Sequence, residues 1–381
     1  MAKLWSHYIQ KVPVLGTLYR YNYFAMKRSY LNLLRRSKIR PGPSVVHWLA
    51  TYRCNQKCAY CEASANEVAC DELTTEEMKS VLDDLGTLRV SRFFVTGGEP
   101  LVRKDLFEIL AHAKRRGMSI GMISNATLYG KYKQEIRDAG FSSIWTSVDG
   151  LAETHDKNRG IRNAFDTTLD AMRYFRELEI PLRVVNTLVH PGNVRELPEL
   201  LKALKEAGMN RWRLALATSV GRATDADQWV LPDDEIQQLF EYVEETRHSF
   251  DIELSEELGY LGCKDLPTRN SPFICPSGLS FCVVMPDGHV LPCQVVYDNR
   301  FSEGNVRERS FKEIWDTGFQ RFRKVELPEV CGSCRHRNAC SGGCWARVET
   351  NEGSCLRRIW DQKHYGHEHS PDSRKLNVIH Q

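Results

Sequence analysis

The chain has 381 residues, 42% hydrophobic and 27% charged, with a formal net charge of +3, a globular composition with room for two or three domains at roughly 150 residues each. No stretch approaches the roughly 20 apolar residues of a membrane-spanning helix, and Met1–Gln10 lacks the charged, apolar and small-residue order of a signal peptide, so a cytoplasmic protein is expected. Thirteen cysteines then point to metal or redox chemistry, because a cytoplasm keeps thiols reduced and an odd number cannot all pair.

Residues 1–43 come first. Lys3, Lys11, Arg20, Lys27, Arg28, Arg35, Arg36, Lys38 and Arg40 fall there without a single acid, so the basic excess is local. From Tyr19 to Lys38 the spacing Tyr19, Tyr23, Met26, Tyr30, Leu33 predicts a helix with one apolar face, stopped by Pro41-Gly42-Pro43. The simpler expectation is that this face packs on the domain behind it. The alternative is a peripheral contact with an anionic membrane surface or with an acidic substrate, since aromatic residues beside Lys and Arg suit that boundary.

From residue 44 to about 250, short β-branched and aromatic runs alternate with longer helical patterns. Strands are expected at Ser44–Thr51, Arg92–Thr96, Ser119–Ser124, Ser143–Val148, Leu182–Val189 and Arg211–Thr218. Helices are expected at Thr75–Leu85, Asp105–Arg115, Ala164–Glu179 and Leu197–Ala207. Six such units predict an α/β fold, a partial (β/α)6 TIM-type barrel, with its chemistry at the carboxyl ends of the strands.

The residues found there carry chemistry. After the first strand comes Cys54-Asn-Gln-Lys-Cys58-Ala-Tyr-Cys61: three thiols in a compact loop leave one iron of a cubane open, whereas a structural zinc site wants four ligands. After the second comes Thr96-Gly97-Gly98-Glu99-Pro100, after the third Ser124-Asn125-Ala126-Thr127, and the fourth ends at Ser147-Val-Asp149-Gly150. Glycines permit close backbone approach, Glu99 can accept from an amine, and the rest offer hydroxyls and amides to a polar ligand.

Residues 251–360 hold a second array: Cys275, Cys282, Gly288 and Cys293, then Cys331-x2-Cys334-x5-Cys340-x3-Cys344, and Cys355. Phe281–Met285, Pro286-Asp287-Gly288 and His289–Pro292 read as a hairpin that brings Cys282 and Cys293 together. Eight thiols make two four-ligand sites, and zinc is the alternative filling. Cys70 and Cys263 remain as buried inert thiols, and residues 361–381, with His364, His367, His369 and His380, read as a polar tail.

Taken together, the Cys-x3-Cys-x2-Cys, Gly-Gly-Glu-Pro and Ser-Val-Asp-Gly segments resemble the radical S-adenosylmethionine (radical SAM) superfamily, and the second array resembles its SPASM extension. The resemblance implies that Cys54, Cys58 and Cys61 hold a [4Fe-4S] cluster whose fourth iron binds SAM. It implies that Gly97, Gly98 and Glu99 hold the SAM amine, that Ser147 and Arg159 meet its carboxylate, that Asn125 lies near the ribose, and that strand five and Val220-Gly221-Arg222 border the adenine. Two auxiliary clusters would bring the total to three [4Fe-4S] clusters: one on Cys275, Cys282, Cys293 and Cys344, the other on Cys331, Cys334, Cys340 and Cys355. Full ligation by eight thiols would then leave the auxiliary clusters to electron transfer or structure.

The implied reaction is reductive cleavage of SAM to a 5′-deoxyadenosyl radical that abstracts hydrogen from a substrate C–H bond, fed by a low-potential donor of flavodoxin or ferredoxin type. A ribosomal peptide or protein side chain is the leading expectation for the substrate. It would need a separate leader-peptide-binding partner, because the first 43 residues are too short and strand-poor for a winged-helix domain. The alternative is a small molecule such as a modified tetrapyrrole, sugar or lipid. Gln294 stands where sulfatase-maturing relatives carry Asp, and Cys340 where the enzyme that crosslinks the pyrroloquinoline quinone precursor carries Asp, so neither identity is expected. Nucleic acid is not an expected partner, since the basic excess sits at one end, and a zinc-bound cysteine scaffold is the non-enzymatic alternative.

Overall fold

The computed structural model describes residues 41–349 except 218–219, 226, 271–272, 325–330, 332–333 and 335, together with separate helical positions between 22 and 34. Within these lies a nine-stranded sheet whose order follows the chain for seven strands. They are β1 (Val45–Leu49), β2 (Arg92–Thr96), β3 (Ser119–Ile123), β4 (Ser143–Ser147), β5 (Leu182–Val189), β6 (Arg211–Leu216) and β7 (Ile252–Leu254), all paired in parallel. The expected six-unit barrel is thus present and carries a seventh strand; Ile252–Leu254 is only three residues long and left too little periodicity to read.

On the other side of β1 the sheet continues into β8 (Phe281–Val284), parallel to β1, and β9 (Val290–Leu291), antiparallel to β8. The cysteine-rich region therefore begins as a hairpin on the barrel's own edge. Its pairing, Val283 with Leu291 and Val284 with Val290, is the hairpin expected from the Pro-Asp-Gly turn.

Helices cover the outer face, as parallel strands require. They include α1 (Thr75–Thr87), α2 (Leu106–Arg115), α3 (Lys133–Ala139), α4 (Ala152–Arg159), α5 (Ala164–Glu177), α6 (Leu197–Glu206), α7 (Asp233–Thr246) and, beyond the hairpin, α8 (Phe311–Thr317). Thr74 and Glu77 form a capping box at the start of α1, and Ser310 and Glu313 another at α8, each satisfying two backbone donors that the first turn leaves open. Alternate strand residues feed the core: Val46, Trp48, Phe93 and Val95 pack with α1, α2 and α8, while Val185, Trp212 and Leu214 pack with α6 and α7.

Arg103 joins this frame to the site above it. Six percent exposed, it lies 4.9 Å over Trp48, donates to the carbonyls of Ala50 (3.0 Å) and Leu73 (2.6 Å), and pairs with Asp105. It thereby holds the end of β1, where the cysteine loop begins, against the approach to α1.

Near the N-terminus the described positions are helical, but the expected packing is reversed. Met26, Tyr30 and Leu33 are exposed while Leu31 is buried, so these three members of the expected apolar stripe are not on the face that packs. Tyr19 and Tyr23, like Cys355 and the histidine tail, lie outside the described residues. No helix among the described residues is long and apolar enough to cross a membrane.

Candidate active site

The cysteine loop after β1 is fixed by groups distant in sequence. The Asn66 side chain accepts from Cys54 N (2.8 Å) and donates back to Cys54 O (3.0 Å). Ala59 N donates to Asn158 O at the end of α4 (3.0 Å), and Arg222 donates to Cys58 O (2.8 Å) and Ala65 O (2.9 Å), with its own N–H on Cys61 O (3.0 Å). Val220-Gly221-Arg222, expected beside an adenine, thus seats the loop that carries the thiols.

Hydrogen-bond donors surround two of the three sulfurs. Gln56 N lies 3.4 Å and Asn125 Nδ2 3.9 Å from Cys54 Sγ, and Arg159 Nη1 lies 3.6 Å from Cys58 Sγ. Burial pushes the Cys54 thiol up to about 12, and the Cys58 and Cys61 charges push it in the same direction, so the three thiols share one field. Burial raises Cys58 as well, against the pull of Arg159. Such thiols become thiolates when a metal supplies the charge. Among the described residues no three His, Cys, Asp or Glu side chains converge on a single ion; a cubane is a body whose ligands sit around its corners, so converging donors are not its requirement. Free thiols ringed by N–H donors fit such a cluster.

The Gly-Gly-Glu segment lies directly on this loop. Gly98 N donates to Thr51 O (2.7 Å) and Glu99 N to Arg53 O (2.9 Å). Gly97 has φ of +151°, and a Cβ there would meet Thr51 O at 2.7 Å; one on Gly98 would run into Arg53 O. Both glycines are demanded by backbone crossing backbone. Glu99 behaves differently from the expectation of an amine acceptor: it is 0% exposed, and its carboxylate accepts from Leu101 N (3.0 Å), Ser124 Oγ (2.8 Å) and Asn125 N (2.8 Å). Burial pushes it up to about 7 while those donors pull it down. It ties the loop after β2 to the loop after β3 and so delivers Asn125 to Cys54.

Asp149 and Arg159 form a second tie. Asp149, 1% exposed, takes Arg159 through Nη2 (2.5 Å) and Nε (2.7 Å), accepts from Leu188 N (2.9 Å), and accepts the hydroxyl of Tyr60, the aromatic residue between Cys58 and Cys61. Burial opposes ionisation there, yet Arg159 and His155 hold the Asp149 carboxyl below its ordinary value. Arg159 also lies 5.5 Å over the Tyr60 ring. This residue, expected on a carboxylate of SAM, is thus engaged with Asp149 and aimed at Cys58.

Ser147 ends β4 opposite Asn186 on β5, and Asn186 Oδ1 is buried without a hydrogen-bond partner. On the same inner face are His47, Phe94, Trp145 and Arg213, the last directly opposite Asn186. His47 and Phe94 lie 5.1 Å apart, Phe94 and Trp145 6.0 Å, and Arg213 sits 5.6 Å over Trp145 while paired with Glu257 (3.0 Å). His47 Nδ1 is hydrogen-bonded to Gln294 Oε1, and burial lowers the imidazole to about 4, so it is neutral at pH 7. His47, Asn186 and the Asp149–Tyr60 tie were not singled out in the sequence; strand alternation from the Cys54 side would have pointed His47 inward.

Of the second array, Cys275, Cys293 and Cys344 act on one another electrostatically: burial raises the Cys293 thiol first, then the Cys344, Cys275 and Glu62 charges, and burial raises Cys344, then Cys275 and Glu257. Cys282 does not join them. It lies on the outer face of β8, 0% exposed, in the apolar core with Val46, Phe311 and Trp315. The expectation that the hairpin brings Cys282 to Cys293 is therefore corrected: the hairpin forms, but strand alternation turns this side chain to the helix layer.

Comparison with known proteins agrees with this geometry. Residues 48–204 match the Radical SAM superfamily and residues 275–335 an iron-sulfur cluster-binding domain termed SPASM. The chain is 30% identical over 336 residues to the AdoMet-dependent heme synthase of Methanosarcina barkeri, covering 83% of this chain and 95% of that one. It is 31% identical over 306 residues to the PqqA peptide cyclase of Bradyrhizobium diazoefficiens, covering 77% and 79%. In fold it is similar to Streptococcus suis SuiB bound to S-adenosylmethionine, with a TM-score of 0.67, 18% identity, and coverage of 86% of this chain and 79% of that one. A partial parallel barrel with three thiols after its first strand, continued by a cysteine-rich hairpin domain, is thus matched in sequence and fold: the chain belongs to the radical SAM superfamily and is an enzyme of its SPASM-bearing branch.

Proposed function

We propose that Cys54, Cys58 and Cys61 hold the SAM-binding [4Fe-4S] cluster and that the enzyme acts on a side chain of a tetrapyrrole. When bound on Cys54, Cys58 and Cys61, the reduced cluster would supply the electron for reductive cleavage of SAM and so the means of abstracting hydrogen from the substrate. The chain's own residues do the rest. Gly97 and Gly98 bring bare backbone to the SAM amine, with Glu99 holding that backbone in place rather than meeting the amine itself. Ser147, Asn125 and the remaining N–H groups of Arg159 face the rest of the nucleoside. The inner wall of His47, Phe94 and Trp145 offers flat aromatic faces, a surface suited to a planar substrate, with Arg213 over Trp145 held in place by Glu256 and Glu257.

The observation that carries the tetrapyrrole reading is the colinear similarity to heme synthases over four-fifths of the chain, joined by 30% identity to the Fe-coproporphyrin III synthase of Methanosarcina barkeri. The reading therefore departs from the peptide expected first. A peptide substrate remains the second reading, favoured by the similarity to PqqA peptide cyclase; it carries the need for a separate leader-binding protein. Under either, a flavodoxin- or ferredoxin-type donor in the cytoplasm feeds the cluster. The test is anaerobic turnover with Fe-coproporphyrin III as probe. Formation of 5′-deoxyadenosine in step with a mass change of the tetrapyrrole supports the proposal; 5′-deoxyadenosine at one basal rate with and without the probe, and no mass change, refutes it.

A further inference from the structure

The loop that carries the first three thiols holds one side chain that the site leaves without a role. Gln56 lies between Cys54 and Cys58 and is 3% exposed. Its backbone is fixed: Gln56 N donates to Cys54 Sγ (3.4 Å) and Gln56 O accepts from Asn66 Nδ2 (3.5 Å). In its side chain, Oε1 accepts from the Cys58 thiol (3.7 Å), while Nε2 is buried with no hydrogen-bond partner. A buried N–H without an acceptor is rare in a folded protein. The other side-chain donors near these sulfurs are engaged elsewhere as well: Asn125 Nδ2 meets Asn55 Oδ1 (2.9 Å), and Arg159 is held by Asp149.

We propose that Gln56 donates to two thiolates of the SAM-binding cluster, through its backbone N–H to Cys54 and through its side-chain amide to Cys58, and so raises the reduction potential of that cluster. This rests on the assignment of Cys54, Cys58 and Cys61 as its ligands and is independent of the substrate. A cysteine that binds iron has lost its proton, so Cys58 Sγ then accepts and no longer donates to Oε1. An amide oxygen facing a thiolate is repelled. A half-turn about the last side-chain bond exchanges Oε1 and Nε2, aims the unused N–H at Cys58 Sγ, and breaks no bond of Nε2, which has none. Each of the two sulfurs then has two donors: Gln56 N and Asn125 Nδ2 on Cys54, Gln56 Nε2 and Arg159 Nη1 on Cys58. Hydrogen bonds to the sulfurs stabilise the negative charge added on reduction, so the single electron from a low-potential flavin or iron-sulfur donor is accepted at a higher potential. No proton is transferred; the N–H stays on the amide.

The test is an anaerobic potentiometric titration of the reconstituted full chain, read by electron paramagnetic resonance (EPR). The first cluster is identified as the signal whose g values move when SAM is added to a parallel sample. Gln56→Met keeps the length of the side chain without a donor, and Gln56→Leu removes the donor with a different shape. At the parent's midpoint for the first cluster, each variant should show its reduced-to-oxidised ratio lowered about tenfold, a shift of about 59 mV for one electron. The auxiliary signals of the same chain should keep their midpoints. Fully loaded variants with the parent's midpoint overturn the inference. A shift shared by the auxiliary signals, which reports a change of the whole fold, overturns it too, as does loss of the first cluster's iron from both variants, which makes Gln56 a packing residue. A parent with no SAM-responsive signal refutes the cluster assignment itself, and this inference with it.

Discussion

Asp149→Asn probes how the polypeptide holds its thiol loop. The substitution keeps the shape and one acceptor oxygen for Leu188 N, but it replaces a carboxylate that binds Arg159 twice and accepts the Tyr60 hydroxyl. An amide in that orientation turns donors toward a guanidinium that is only 11% exposed. Removing one partner of a buried pair costs about 3–5 kcal/mol, most of it the isolation of the remaining charge. Because Tyr60 lies between Cys58 and Cys61, the strain falls on the cluster loop, and the variant should lose thermal stability and retain less iron in its first cluster. Anaerobic denaturation with iron analysis measures both. Arg159→Gln in the same chain removes the stranded charge, so the double variant should be less destabilised than the sum of the singles by about 2 kcal/mol. Additive effects, or an Asp149→Asn chain within 1 kcal/mol of the parent (about the worth of one ordinary hydrogen bond), would refute the reasoning.

Two further outcomes follow from the same geometry. Gly98→Ala places a methyl against Arg53 O, so the loop must shift away from Cys54; SAM binding measured by equilibrium dialysis should fall at least about tenfold, equivalent to 1.4 kcal/mol, and unchanged binding would remove this loop from the site. His155, 1% exposed and lowered to about 4 by burial, accepts from Asp149 N (3.0 Å) in its neutral form. Its folded value lies below the unfolded 6.5, so its contribution is complete above pH 6.5 and is lost as pH falls toward 4, at most about 3 kcal/mol. In His155→Gln, which can still accept but does not titrate, that part of the acid destabilisation should vanish; equal slopes in both chains would contradict the assignment.

The barrel was legible because parallel strands buried on both faces are dense apolar runs. Arg92–Thr96 and Leu182–Val189 have the expected bounds, and the other four strands end within two residues of them. The thiol loop and the glycines were legible because their chemistry is local. The ties that hold them were not: Arg222 reaches Cys58 across 164 positions and Tyr60 reaches Asp149 across 89, and nothing in local spacing encodes such pairs. The surroundings of Glu99 and Cys282 were not legible for a common reason. A motif names a residue but not the direction of its side chain, and in both cases the side chain turns into the core, where Glu99 finds three donors and Cys282 an apolar layer.

The central claim is a three-thiolate cluster with one iron reserved for SAM. It is tested most directly by EPR of the reduced, anaerobically reconstituted enzyme before and after addition of SAM. The account predicts a cubane signal whose g values change on SAM addition, with that response abolished in Cys58→Ala while the auxiliary signals persist. A parent spectrum indifferent to SAM, or a SAM response that survives Cys58→Ala, would contradict it.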